Sequence, residues 1–217
     1  MTKVGVILAG SGHKDGSEIH ESVYTILALS KYKAEINIYA PDTKQKDVVN
    51  HFNGETVPES RNLLIEAARI ARGKIKPLSE AKAENLDAII LPGGTGAAKN
   101  LSTFLEEGFA GTITPQLKEL LFEMNKLGKP IGGICIFPVL LSLIFGEKGV
   151  NVTVGLDEKI GEEVQKIGAK NTPYPSSEIV VDEKLKIVTT PAFMNNAAFY
   201  EVFTGIEKLV KKVLELS

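Results

Sequence analysis

Cys135 is the single cysteine in the chain and stands in Pro130-Ile131-Gly132-Gly133-Ile134-Cys135-Ile136-Phe137-Pro138, where a short apolar strand runs straight into an apolar helix. A strand ending in so sharp a turn lifts the turn residue above the sheet edge. It also aims the unpaired N–H groups of the next helix at that residue's side chain. A thiol in that field is biased toward thiolate, the form that attacks electrophiles. The same segment equally suits a structural cysteine packed as a small hydrophobe. A second reactive stretch is Gly10-Ser11-Gly12-His13-Lys14-Asp15-Gly16-Ser17-Glu18-Ile19-His20-Glu21, which brings two acids and a histidine to the start of a helix. Glu18 and Glu21 lie one helical turn apart and share a face, with His20 pointing elsewhere. Acids in a first turn commonly cap the helix or complement its dipole. Glu21, followed by an apolar stretch, is expected to face inward. The third stretch is the glycine-rich Pro92-Gly93-Gly94-Thr95-Gly96-Ala97.

The elements that must position these residues alternate strand and helix, the pattern of a mostly parallel sheet covered on both faces. Val4–Ala9 reads as the first strand, Ile19–Lys31 as a helix, and Glu35–Ala40 as a second strand stopped by Pro41. Apolar spacing from Glu59 to Arg72 suits an amphipathic helix closed by Gly73. Asp87–Leu91 is a buried strand, and Thr114-Pro115 opens a helix running to about Leu127. Beyond the elbow come a strand at Asn151–Val154 and a helix near Glu158–Ile167. A hairpin of Glu178–Val181 with Lys186–Thr190 follows, then a final helix at Ala197–Leu216. In open α/β sheets ligands bind at the carboxyl ends of the strands, and all three reactive stretches fall at such ends.

Composition narrows the partners. With 217 residues, 43% apolar residues and a formal charge of −2, one α/β domain spanning 1–217 is expected. The balance lacks the concentrated positive footprint that nucleic acid requires, leaving small molecules or proteins. One cysteine excludes an internal disulfide framework or multi-cysteine metal site and fits a reducing compartment. The opening apolar run is too short to span a membrane and reads as the first strand of a cytoplasmic protein, not as a signal peptide. Arg61, Arg69 and Arg72 suit a solvated helix face better than an anion site. Thr153 and Thr190 end strands near the expected site. Dinucleotide binding at Gly10-Ser11-Gly12 is disfavoured, because Asp15, Glu18 and Glu21 place negative charge where a pyrophosphate would lie.

The glycine–glutamate stretch Gly16–Glu21, Leu91-Pro92-Gly93-Gly94 with Asn100-Leu101, and Gly133–Pro138 together resemble the DJ-1/PfpI superfamily of class I glutamine amidotransferase-like proteins. Asp15, Pro58–Gly73 and Val188–Ala192 extend the resemblance to the ElbB family of isoprenoid-biosynthesis, glyoxalase-like proteins, over essentially the whole chain. The resemblance implies a three-layer α/β/α sandwich of flavodoxin-like type with a nucleophile elbow. It implies that Cys135 is the elbow nucleophile, with Glu21 the acid that hydrogen-bonds its sulfur and Glu18 a neighbour. It further implies that Gly94 and the Ile136 N–H, beside Gly93, form an oxyanion-hole-like pocket, and that the protein is a homodimer. One departure is plain: Ile136 follows Cys135, and no histidine occurs after His51. A Cys-His-acid triad is absent unless His13, His20 or His51 reaches the site by an unusual route, so peptide or glutamine hydrolysis is disfavoured. Phe137 stands where a small residue is usual and narrows or fills the pocket.

A cysteine–glutamate pair without histidine suits a glyoxalase III-like reaction on a small reactive carbonyl such as methylglyoxal or glyoxal, needing no metal or cofactor. Cys135 would form a hemithioacetal and Glu21 would shuttle the proton. The alternative from another class is a redox-sensing or small-molecule-binding protein that uses an oxidisable Cys135.

Overall fold

The first strand, β1 (Lys3–Ile7), is followed by helix α1 (Ile19–Lys31) and strand β2 (Glu35–Ala40), both with the bounds the sequence predicts. Next come α2 (Leu63–Ile70), β3 (Lys76–Pro77), β4 (Ala88–Leu91), α3 (Thr95–Leu101), α4 (Phe104–Glu107) and α5 (Pro115–Lys126). The second half holds β5 (Ile131–Ile134), α6 (Phe137–Phe145), β6 (Asn151–Val152), α7 (Glu158–Lys166), β7 (Lys170–Asn171), β8 (Val180–Asp182), β9 (Ile187–Thr190) and α8 (Phe199–Leu216). The computed structural model describes residues 1–217.

Seven strands form one sheet in the order β3-β2-β1-β4-β5-β9-β8. Neighbours run parallel except the β8–β9 hairpin, which is antiparallel. Side chains alternate across this sheet with the period of two that strands impose. Ile89 and Leu91 of β4 join an apolar layer with α3, α5 and α6. Ala88 and Ile90 join the opposite layer with α1 and α8. The result is the three-layer α/β/α sandwich expected. Gly132 and Gly133 of β5 let helices approach from both sides: a Cβ on Gly132 would stand 2.9 Å from a Leu209 methyl of α8, and one on Gly133 2.6 Å from a Leu141 methyl of α6. No helix is long and apolar enough to cross a membrane.

Several boundaries differ from expectation for local reasons. Helix α2 begins at Leu63 and not at Glu59, because the Asn62 side chain accepts from the Ile65 N–H and caps it there. Residue 61 is instead tied to the loop before the helix, its carbonyl accepting from the Gln45 N–H at 2.8 Å. Strand β6 stops at Val152 since the Val154 N–H turns to the Asn171 side chain. The paired edges β3 and β7, two residues each, have no apolar run to announce them.

Candidate active site

Cys135 follows β5 directly, and its N–H still holds the sheet register by donating to the Thr190 carbonyl at 3.0 Å. Its φ of 61° lies in the left-handed region, which is unfavourable for a residue with a Cβ. That turn throws the chain from β5 into α6 within one residue and leaves the cysteine 9% exposed. The backbone N–H groups of Gly94 and Ile136 hydrogen-bond toward its sulfur.

Glu21 reaches the same point from the first turn of α1 and is fully buried. Its carboxylate accepts from the Gly93 N–H at 2.8 Å and from the Phe193 N–H at 3.5 Å, and it hydrogen-bonds the Cys135 thiol. Gly93 is the hinge of this contact, since a Cβ there would lie 2.6 Å from the Cys135 Cβ and 2.9 Å from Glu21 Oε2. Burial, then the charge of Glu18, pushes the Glu21 carboxyl up to about 8, against the pull of its hydrogen-bond donors. The Cys135 thiol is pushed well up by burial and by the charge of Glu21, opposed only in part by the Gly94 and Ile136 N–H groups. The thiolate bias expected from the elbow is thereby reversed, because desolvation outweighs the helix terminus.

Glu18 does two things at once. Its Oε2 accepts from the Glu21 N–H at 2.6 Å and caps α1, as first-turn acids commonly do. Its Oε1 lies 2.9 Å from His20 Nδ1. Its own N–H donates to the Gly93 carbonyl at 2.8 Å, while the Gly96 N–H donates to the His13 carbonyl at 2.9 Å. These bonds lace the loop after β1 to the loop after β4. Asn100 adds a side-chain N–H to the Asp15 carbonyl at 2.9 Å, and a Cβ on Gly96 would run into the Gly16 nitrogen.

Cys135 opens onto a cavity of about 390 Å³, lined also by Glu18, Gly94 and Thr95 and by four rings, His13, His20, Phe193 and Phe199. His13 and His20 thus reach the site by way of the loop after β1, the route held to be unusual, although the thiol's carboxyl partner is Glu21. His13 is held below its ordinary value by burial and by His51. His51 itself stands behind His13, its ring centroid 5.1 Å away and its Nε2 3.7 Å from Asp15. Phe193 and Phe199 escaped the sequence reading. The available signal was that they follow β9 at its carboxyl end, where ligands bind in such sheets. Arg61 pairs with Glu59 and Glu66, and Arg69 with Glu66, away from the cavity. The Thr190 hydroxyl donates to the Glu178 carbonyl and the Thr153 hydroxyl accepts from the Gly155 N–H, so both serve the backbone. Phe137 is turned into the core, 1% exposed, and does not fill the pocket.

A mostly parallel α/β/α sandwich, with a strained cysteine directly after β5 and a buried glutamate against that cysteine, defines a protein of the class I glutamine amidotransferase-like fold. The mitochondrial ES1 protein homologue of Rattus norvegicus is 45% identical over 225 residues, 99% of this chain and 84% of that protein. The mitochondrial glutamine amidotransferase-like class 1 domain-containing protein 3 of Homo sapiens is 44% identical, over 99% of this chain and 83% of that protein. The chain belongs to this ES1 family of glutamine amidotransferase-like class 1 domain proteins. A crystal structure of an isoprenoid biosynthesis protein with an amidotransferase-like domain from Ehrlichia chaffeensis matches with a TM-score of 0.90 and 36% identity over 98% of both chains. A DJ-1 superfamily protein from Salmonella typhimurium shares the fold at a TM-score of 0.60 and 18% identity, over 99% of this chain and 91% of that one. No family model matches the chain. The expectation of a cytoplasmic protein is overturned, since these curated relatives are mitochondrial proteins. The opening run on which it rested is the strand β1.

Proposed function

We propose that the chain is a cofactor-independent, glutathione-independent glyoxalase-like enzyme that converts methylglyoxal or glyoxal to a hydroxy acid. The reading rests on one observation: a thiol held in a left-handed elbow at the wall of a cavity, with a fully buried carboxyl group against it. Glu21 carboxylate takes the Cys135 proton as the sulfur attacks the aldehyde carbon. The oxygen that becomes negative there meets the Gly94 and Ile136 N–H groups, then regains the proton from Glu21 to give a hemithioacetal. Glu21 next removes the hydrogen from the former aldehyde carbon, and the electron pair moves to the adjacent carbonyl as an enediolate. Returning that proton to the second carbon leaves a 2-hydroxy thioester. Water hydrolyses it, releasing the hydroxy acid and restoring the thiol, so substrate plus water balances product. The name of the Ehrlichia neighbour supports a connection with isoprenoid biosynthesis.

The test is lactate formation from methylglyoxal by the wild type, Cys135→Ala and Glu21→Gln, each checked for folding by circular dichroism. Activity in the wild type alone is expected. Undiminished turnover by Cys135→Ala sinks the mechanism.

A further inference from the structure

The cavity beside Cys135 is larger and more aromatic than methylglyoxal needs. Its volume of about 390 Å³ falls in the range of pockets that enclose drug-sized ligands, so a three-carbon substrate would leave most of it to water. Three rings of its lining form a cup: His20 and Phe199 at a centroid separation of 4.7 Å, Phe193 and Phe199 at 5.7 Å, His20 and Phe193 at 6.2 Å. Two of these rings are not spent on the core, because Phe199 is 57% exposed and the His20 side chain 49%, whereas Phe193 packs partly against the core. A flat apolar group laid in the cup would cover ring surface now facing water and could stack or meet ring edges.

Charge acts in the same direction. No lysine or arginine lines the cavity, whereas the Glu18 carboxylate does. His20 has its Nδ1 committed to Glu18, and Arg61 and Arg69 are paired with Glu59 and Glu66. A phosphate or carboxylate entering the pocket would find a like charge and no cationic partner.

Resting on the glyoxalase reading for its chemistry, we propose that this site selects uncharged carbonyl compounds bearing a flat apolar substituent, an aryl-substituted α-oxoaldehyde before methylglyoxal, and turns away phosphorylated aldehydes. Phe193 and Phe199 are the specificity-determining residues.

Two measurements separate this proposal from the reaction on which it builds. The first needs no turnover: alkylation of Cys135 by iodoacetanilide, iodoacetamide and iodoacetate, followed by intact mass and normalised to the rates with 2-mercaptoethanol. The aryl reagent should exceed iodoacetamide by about tenfold and iodoacetate should fall about tenfold below it, the size expected for one aromatic contact or one unpaired charge. Phe193→Ala and Phe199→Ala, confirmed folded, should each remove most of the aryl advantage. The second is kcat/KM for phenylglyoxal against methylglyoxal, where phenylglyoxal should lead. Equal normalised alkylation rates, an aryl advantage that survives both phenylalanine substitutions, or a lead for methylglyoxal overturns the substrate class. Aryl-selective labelling with no turnover of either aldehyde overturns the glyoxalase reading and leaves the selectivity of the pocket standing.

Discussion

Glu21, from the first turn of α1, and Cys135, directly after β5, meet beside Gly93, where the fully buried carboxyl and the thiol hydrogen-bond one another. The coupling is one-sided: the Glu21 charge makes the thiolate costlier, whereas the thiol's hydrogen bond favours the Glu21 carboxylate. Burial and the charge of Glu18 hold the Glu21 proton until about pH 8, and the carboxylate then formed keeps the proton on the Cys135 sulfur.

If that proton loss generates the reactive pair, kcat/KM for an aldehyde should rise with pH and level off above about 8. Glu21→Gln should abolish this limb and lower kcat/KM by about 10²–10⁴-fold, the usual scale for a positioned acid–base group. A pH–rate profile of the two proteins checks both. A flat wild-type profile between pH 6 and 9 would remove Glu21 from the mechanism.

The same titration enters folding. Glu21 binds its proton more tightly folded, at about 8, than at its ordinary value of 4.5. The stability it contributes is accordingly complete below about pH 4.5 and is lost as pH rises through about 8. Glu21→Gln, which keeps the carboxyl's shape without its charge, should gain stability over the wild type as pH increases across that window. Thermal melts of both proteins at several pH values between 5 and 9 read the difference directly, and a constant gap contradicts the assignment.

Strain at the elbow has a separate signature. At a φ of 61° any residue with a Cβ carries a cost of about 1–2 kcal/mol that glycine escapes, partly offset by glycine's extra freedom when unfolded. Cys135→Gly should consequently be more stable than Cys135→Ala by about 1 kcal/mol, measured by urea denaturation. The opposite order would mean that the turn is relaxed.

Reaction with peroxide discriminates the oxidation-sensor alternative. Thiolate is the oxidised form, and a thiol pushed well up by burial and by Glu21 should react with peroxide more slowly at neutral pH than free cysteine does. Glu21→Gln, lacking the charge that holds the proton on sulfur, should react faster than the wild type at alkaline pH. Fast and selective sulfinate formation at neutral pH in the wild type would restore the sensor reading.

Much of the scaffold was legible because its stop signals are local. Helix α1 starts after its Glu18 cap and β2 ends at Pro41, so both bounds followed from neighbouring residues. The start of α2 was misplaced because an apolar period continues upstream of Asn62, and only the cap decides between the two starts. The stretches carrying Cys135, Glu21, Gly93, Gly94 and Ile136 stood out by composition, and the fold brings them together. What escaped notice depends on distance along the chain. Phe193 meets Glu21 across 172 positions, and nothing in the spacing of Phe193 or Phe199 marks them as pocket walls. The shift of the thiol was misjudged for a related reason. A helix terminus is visible in sequence, but the degree of burial that opposes it is a property of the whole packed interior.

The lacing between the loops after β1 and β4 bears on the thermodynamics of recognition. Glu18 to Gly93, Gly96 to His13 and Asn100 to Asp15 are joined before anything occupies the cavity, and the Gly96 approach leaves no room for the two loops to slide. Much of the ordering that a flexible site would undergo on association has already been met during folding. Ligands should therefore enter this side of the pocket with little loss of backbone entropy, and their affinities should track the apolar surface they cover and the charge they carry.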